Sequence, residues 1–451
     1  MNRPDVKSVV LALLCGLQFS GDVLWAGDWK QFRGNEANSV ASGESLPTEL
    51  SGSTIAWKAA LPGRGVSGPV IVDGRVFVSA SSGYTQNRLH VISIDAESGM
   101  QLWQRQFHAT GRTQTHEKMA NATPTMASDG QRVFAFFSSN DLFCLDLKGR
   151  LLWYRGLGRE FPNASNSLGM SSSPIVVGET LVVQVESDAE AFACGVDVAS
   201  GETRWQIQRP RAANWTSPTL IPGRGGRAAL VLLQSSKGLT AVYPESGKVA
   251  WEFDKGASTI PSATVSAGTV YVPSNGLTAL KPGADSVEQL WNSGNISPAT
   301  SSPVVAGNLA LVLNSSGVLN AASLETGERV WQLRLRGTFS GTPIYARDHL
   351  YLVNEAGVAD VATVFNETSA EVAAHVRALA AREEALRQFV ANTAHDVGLP
   401  LTVLQGHLAA MAEKLGDASV VADLQVRERD PIVGADLQVR AHVDAAINEV
   451  H

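Results

Sequence analysis

Gly68-Pro-Val-Ile-Val-Asp-Gly-Arg-Val-Phe-Val begins a phrase that ends at Trp103 and then recurs. Ser173-Pro-Ile-Val-Val-Gly-Glu-Thr-Leu-Val-Val and Ser302-Pro-Val-Val-Ala-Gly-Asn-Leu-Ala-Leu-Val repeat its opening. Trp57, Trp103, Trp153, Trp205, Trp251, Trp291 and Trp331 mark the same period of 40 to 52 residues. Short β-rich runs between Gly-bearing turns, at about 40–45 residues per unit, are the signature of a β-propeller. In the first unit, strands are expected at Pro69 to Val72, Arg75 to Ala80, Leu89 to Asp95 and Gln101 to Phe107. Asp73-Gly74 and Ser98-Gly99 supply the φ > 0 positions that tight hairpins need. A Trp at one height on every outer strand is placed to pack on the next blade.

At 451 residues the chain is long enough for two or three ordinary domains, or for one large propeller plus an extension. The net charge of −7 comes with no basic block, which excludes nucleic acid as an expected partner. Residues 1–26 read as a signal peptide: Arg3 and Lys7 precede an apolar run from Val9 to Leu17, and small Ala26 precedes the cut. No later stretch approaches 18 consecutive apolar residues, so no second membrane crossing is expected. Of three cysteines, Cys15 lies in the export segment. Cys144 and Cys194 fall at similar places in consecutive repeats and read as small buried residues, since equivalent strands of neighbouring blades stand too far apart for a disulfide.

The hairpins Asp95-x-x-x-Gly99-x-x-x-Trp103 and Asp197-x-x-x-Gly201-x-x-x-Trp205 have weaker copies at Gly247-x-x-x-Trp251 and Gly327-x-x-x-Trp331. Together with Asp28-Trp-Lys-Gln-Phe-Arg-Gly34, they resemble the PQQ-like, BamB-type propeller repeat proteins of bacterial envelopes over residues 27–360. The resemblance implies a seven-bladed or truncated eight-bladed propeller of four-stranded blades, a mainly β fold. Ile55-Ala56-Trp57-Lys58 is the natural strand to lend to the last blade. The resemblance leaves function open, because the same repeat serves quinoprotein dehydrogenases and assembly scaffolds. Quinone-dependent members bring calcium-ligating Glu, Asn and Asp and often an adjacent-cysteine disulfide. This chain has no Cys-Cys pair. No cofactor is therefore expected, and PQQ with calcium belongs only to the alternative of a quinoprotein oxidoreductase. His108 and the pair His116-Glu117 read as loop residues rather than metal ligands. Arg64 and Arg224 are turn residues within reach of a channel mouth, and neither is assigned to a site.

After Val364 the text changes. Val372, Leu379, Leu386 and Thr393 fall seven apart, and Leu401, Leu404, Leu408, Met411 and Leu415 step by threes and fours. This is heptad spacing for a C-terminal helical hairpin or coiled coil, with a homodimer as its simplest partner. Phe389-Val-Ala-Asn-Thr-Ala-His-Asp-Val-Gly-Leu-Pro-Leu401 resembles the H-box of histidine-kinase dimerisation and phosphoacceptor domains. The resemblance implies His395 as phosphoacceptor and Asp396 as its acid/base partner. Gly398 and Leu399 depart from the family pattern. On this reading residues 361–371 resemble the end of a HAMP linker, 372–418 form the first helix, and 441–451 begin a second. Between them, 419–440 carries near-identical copies beginning at Val420 and Val433.

No ATP-binding domain follows, so the chain is expected not to be a complete enzyme. A junction between two unrelated reading frames accounts for the short propeller, the short helical pair and the missing membrane span together. The leading expectation is a periplasmic or extracytoplasmic binding, scaffold or sensor propeller, with an unknown protein or small ligand as partner. The alternative is a two-component sensor histidine kinase acting through His395, which would require the cytoplasm.

Overall fold

The computed structural model describes residues 27–41, 46–48, 54–165, 168–356 and 359–363. Within them the chain is almost entirely antiparallel β, in seven sheets; six have four strands and the last has three. In the first sheet the strands are Val70–Val72, Arg75–Ser82, Arg88–Asp95 and Gln101–His108, within two residues of the sequence expectation. The first strands of the seven sheets are Val70–Val72, Ala127–Ser128, Ile175–Val177, Thr219–Ile221, Thr264–Ser266, Val304–Ala306 and Ile344–Ala346. They neighbour one another in sequence order around a central axis, the arrangement of propeller blades. The last sheet ends on Ala359–Thr363. Residues beyond it, including His395, Asp396 and the heptads, lie outside the described residues.

Two repeated devices join the sheets, and both follow from the repeated phrase. The first is the tryptophan. Trp103, Trp153, Trp205 and Trp291 donate their indole N–H to Leu147, Val198, Pro244 and Leu324 carbonyls of the following sheet, at 2.7–3.1 Å. Each indole lies flat on the hairpin glycine of that sheet. A Cβ on Gly201 would stand 2.7 Å from the Trp153 ring, and the φ of +78° there also favours glycine. Across its own sheet each Trp faces a small residue: Ser93, Cys144, Gly195, Ala241, Ala279 and Ala321. A β-bulge follows each of these six positions, giving the outer strand the twist that lays the ring over its neighbour. Cys144 is thus a small residue opposite Trp153, and Cys194 stands one place before the equivalent Gly195. Both thiols are free and buried.

The second device was not legible as more than a turn signal. The hydroxyl residue that opens each phrase receives a hydrogen bond from the backbone of the preceding sheet. Gly68 N donates to Thr125 Oγ1, Thr125 N to Ser173 Oγ, and Ser173 N to Ser217 Oγ. Ser217 N donates to Ser262 Oγ, Ser262 N to Ser302 Oγ, and Ser302 N to Thr342 Oγ1. All six bonds are 2.9–3.0 Å long, and they form a belt around the axis. The belt has two ends, because Gly68 has no hydroxyl to accept from the seventh sheet.

The expectation that Ile55 to Lys58 is lent as a strand to the last sheet is not met. That stretch is no strand, and the last sheet takes Ala359–Thr363 as its third member. Trp57 instead lies on Gly99 and donates to Ala96 O at 2.9 Å. Its indole thus fills, against the first sheet, the place that Trp103, Trp153, Trp205 and Trp291 fill against the sheets after them.

Candidate functional site

A propeller's natural site is its axis, and here the axis is occupied by the chain itself. Residues 28–41 cross it as a strap. Trp29 exchanges both backbone hydrogen bonds with Ile71 of the first sheet, at 2.8 and 2.9 Å. Lys30 O accepts from Ser128 N of the second sheet at 2.7 Å, and Gln31 Oε1 from Val176 N of the third at 3.2 Å. Ala37 joins the apolar cluster of the third and fourth sheets with Val182 and Val231. At the far end Ala41 N donates to Tyr345 O and Tyr345 N to Ser39 O, in the seventh sheet. The strap therefore bridges the two sheets between which the hydroxyl belt stops.

Arg33 is the centre of this arrangement. It is buried, and Nη1 donates to Ala263 O at 2.8 Å and Nη2 to Pro303 O at 3.0 Å, spanning the fifth and sixth sheets. Nη2 also meets Thr264 Oγ1, and Nε donates to Ser39 Oγ at 3.1 Å. All four acceptors are neutral oxygens. Burial pushes the guanidinium down to about 9, so at neutral pH it is still charged and held by dipoles alone. Arg33, Ala37 and Ser39 all have positive φ, at 65°, 52° and 63°. Such backbone costs about 1–3 kcal/mol per residue and persists only where the surroundings over-determine it. Gly34 is required, because a Cβ there would stand 2.9 Å from the Trp29 ring.

The remaining polar groups are anchors. Glu186 and Arg209 form a fully buried ion pair at 2.7 Å, tied to Gln184, Thr240 and Leu233 O. Burial raises the Glu186 carboxyl above its ordinary range while Arg209 pulls it down. Asp141, also buried, accepts from Thr110 N, Thr110 Oγ1, Ser139 Oγ and Tyr154 OH at 2.7–2.9 Å, so its lone pairs are committed. Burial pushes the Tyr154 hydroxyl up to about 12. Ser82 Oγ lies 2.8 Å from His90 Nε2, the spacing of a nucleophile and its base. Gln104 Nε2, 3.2 Å from Nδ1, fixes Nδ1 as the acceptor. The Nε2 proton is then donated to Ser82, the reverse of base activation. Burial pushes the thiols of Cys144 and Cys194 up to about 12, so neither is a thiolate at neutral pH.

His108, His116 and Glu117 are exposed loop or strand-end residues, and His116 Nδ1 accepts only its own loop's Lys118 N. Among the described residues no three His, Cys, Asp or Glu side chains converge as metal ligands. Arg64 donates to Glu117 O across the mouth where the belt lies. There Lys118 also reaches Glu355, between the second and third strands of the seventh sheet, at 2.9 Å. Arg224 lies at the opposite mouth, 3.5 Å from Glu36 of the strap, on a cavity of about 610 Å³ floored by Ile221, Leu230 and Tyr243. A second cavity, about 310 Å³ and polar, opens at the belt mouth beside Arg112, Ser138 and Asn140.

Repeated sheets, tryptophan ties and an occupied axis define a propeller of the PQQ-like repeat class. The family model described as outer membrane protein assembly factor BamB matches residues 18–221, 163–276, 195–385 and 277–427. The chain belongs to that family. A search of curated protein sequences found no match. Among solved structures, BamB from Moraxella catarrhalis superposes with a TM-score of 0.53 at 17% identity, covering 70% of this chain and 87% of that one. A europium-containing methanol dehydrogenase superposes at 0.42 and 14% identity, over 75% and 89% of the two chains. A quinohemoprotein alcohol dehydrogenase from Comamonas testosteroni does so at 0.43 and 14%, over 72% and 76%. The two dehydrogenase superpositions are looser and say nothing of this chain's chemistry.

A quinone with calcium would need converging carboxylate and amide oxygens around the axis. The described residues place an Arg33 guanidinium there, among carbonyls that it already uses. They do not fit the group. Among the described residues no helix is long and apolar enough to cross a membrane.

Proposed function

We propose that the chain is a non-catalytic scaffold of the cell envelope, exported by residues 1–26, which binds a partner polypeptide in outer-membrane protein assembly. Family membership supports the class of role. The observation that carries the reading is the axis: the chain's own strap takes up Ser128 N, Val176 N, Ala263 O, Thr264 Oγ1 and Pro303 O, which leaves a partner face rather than a cofactor site. The belt mouth, with Arg112 and the polar cavity, is the face that the strap leaves free.

The test uses the chain without its first 26 residues. Calorimetry with PQQ and Ca²⁺ is expected to show no binding. A dye-labelled, unfolded outer-membrane β-barrel polypeptide is expected to bind saturably, with a Kd on the order of micromolar. Arg112→Glu should weaken that binding. Tight quinone binding would overturn the non-catalytic reading, and absence of polypeptide binding would overturn the scaffold.

For the residues beyond 363, the H-box resemblance supports a second proposal, in which His395 accepts a phosphoryl group with Asp396 as proton partner. The chain alone should stay unlabelled by ATP. With a histidine-kinase ATP-binding domain supplied in trans, label should appear and be lost in His395→Gln. Label that survives the substitution removes the assignment.

A further inference from the structure

The strap is held as a bound peptide is held. Its two ends pair through main chain, Trp29 on the first sheet and residues 39–41 on the seventh. Between them one side chain, Arg33, is read by three oxygens of the ring, Ala263 O, Thr264 Oγ1 and Pro303 O, and braced by the strap's own Ser39, and a second, Gln31, is read by a backbone N–H. Main-chain pairing supplies affinity and the side-chain cradles supply selection. The cradle is selective by geometry. Ala263 O and Pro303 O belong to different sheets, and one planar guanidinium reaches both, which a compact ammonium does not. The place after the arginine admits only glycine, because the strap's own Trp29 indole covers it, so Gly34 keeps the occupant in its bound shape rather than meeting the ring.

From this we infer that the propeller axis is a sequence-selective peptide site. Its resident occupant is the chain's own residues 28–41. It accepts a separate peptide of the pattern Trp-x-Gln-x-Arg-Gly once the strap is displaced. The ligand class is thus an extended peptide carrying one arginine, recognised by neutral carbonyls rather than by an acidic pocket.

The experiment places a specific protease site within residues 42–53 of the full chain and cuts it after folding, so that no covalent bond retains the strap. The cut strap is expected to stay with the ring through gel filtration. A fluorescein-labelled synthetic peptide of residues 27–41 is expected to exchange into the ring. The same peptide with Arg33→Ala or Gly34→Ala should bind at least about 100-fold more weakly. Should the inserted site resist cutting, a chain lacking residues 27–41 is titrated with the peptide, and its Tm should rise with peptide concentration. A cut strap that elutes free, or an Arg33→Ala peptide that binds as well as the parent, would overturn the proposal. So would a shortened chain whose Tm ignores the peptide.

Discussion

Arg33→Ala is expected to destabilise the propeller by about 3–5 kcal/mol, the range reserved for loss of a buried polar hub. The substitution removes the guanidinium that spans the fifth and sixth sheets and strands Ser39 Oγ away from water, while Ala263 O keeps Thr219 Oγ1 as a donor at 3.1 Å. Pro303 O keeps one donor, since Thr264 Oγ1 also donates to it at 2.5 Å, and this bounds the loss. The effect reaches beyond the site, because Arg33 anchors the only described segment that pairs with both the first and the seventh sheets. Arg33→Lys should recover part of the stability, as an ammonium serves some of these acceptors but not the pair on two sheets. Urea unfolding of the two variants measures both differences.

The second large effect lies at Arg209. Arg209→Met leaves the Glu186 carboxylate fully buried without its counter-charge, an arrangement that costs about 3–5 kcal/mol. Glu186→Gln with Arg209→Met removes both charges and should restore most of the stability, which makes the coupling readable as a double-mutant cycle. The pH dependence has a definite sign. The folded carboxyl lies above its unfolded value, with burial as the first cause. Its contribution to stability is therefore present below about pH 4.3 and is lost as pH rises through the folded value. Removing Arg209 takes away the group that pulls the carboxyl down. The deficit of Arg209→Met should therefore be small at pH 4 and large at pH 8. A deficit independent of pH would mean that lost packing, not charge, explains it.

What the sequence disclosed and what it hid divide along contact range. The first-sheet strands were readable because alternation and Asp-Gly turns are local. The tryptophan ties were readable because a period repeats. Even there one hairpin departs from the spacing: Asp146 accepts from Lys148 N and Arg150 N within its turn, but its glycine, Gly149, comes one residue early. The hydroxyl belt was hidden because each bond joins residues 40 to 57 apart. A serine before proline signals a turn and says nothing of its distant donor. Gln184 and Glu186 did leave a mark, two polar residues at alternate places in a run otherwise apolar, yet nothing in that run points to Arg209. The strap was visible only as a motif shared with a family. That Arg33 lies at the axis follows from seven sheets being assembled around it.

Hydrogen exchange read by mass spectrometry on residues 28–41 tests the central claim most directly. The strap's amides at Trp29, Ser39 and Ala41 are bonded into the first sheet, the strap's own turn and the seventh sheet. They should exchange as slowly as the inner strands Val304–Ala306 and Ile344–Ala346, and Arg33→Ala should release the whole segment together. Exchange of residues 28–41 at the rate of an unstructured chain, in the unaltered protein, would contradict the account of an axis filled by its own strap.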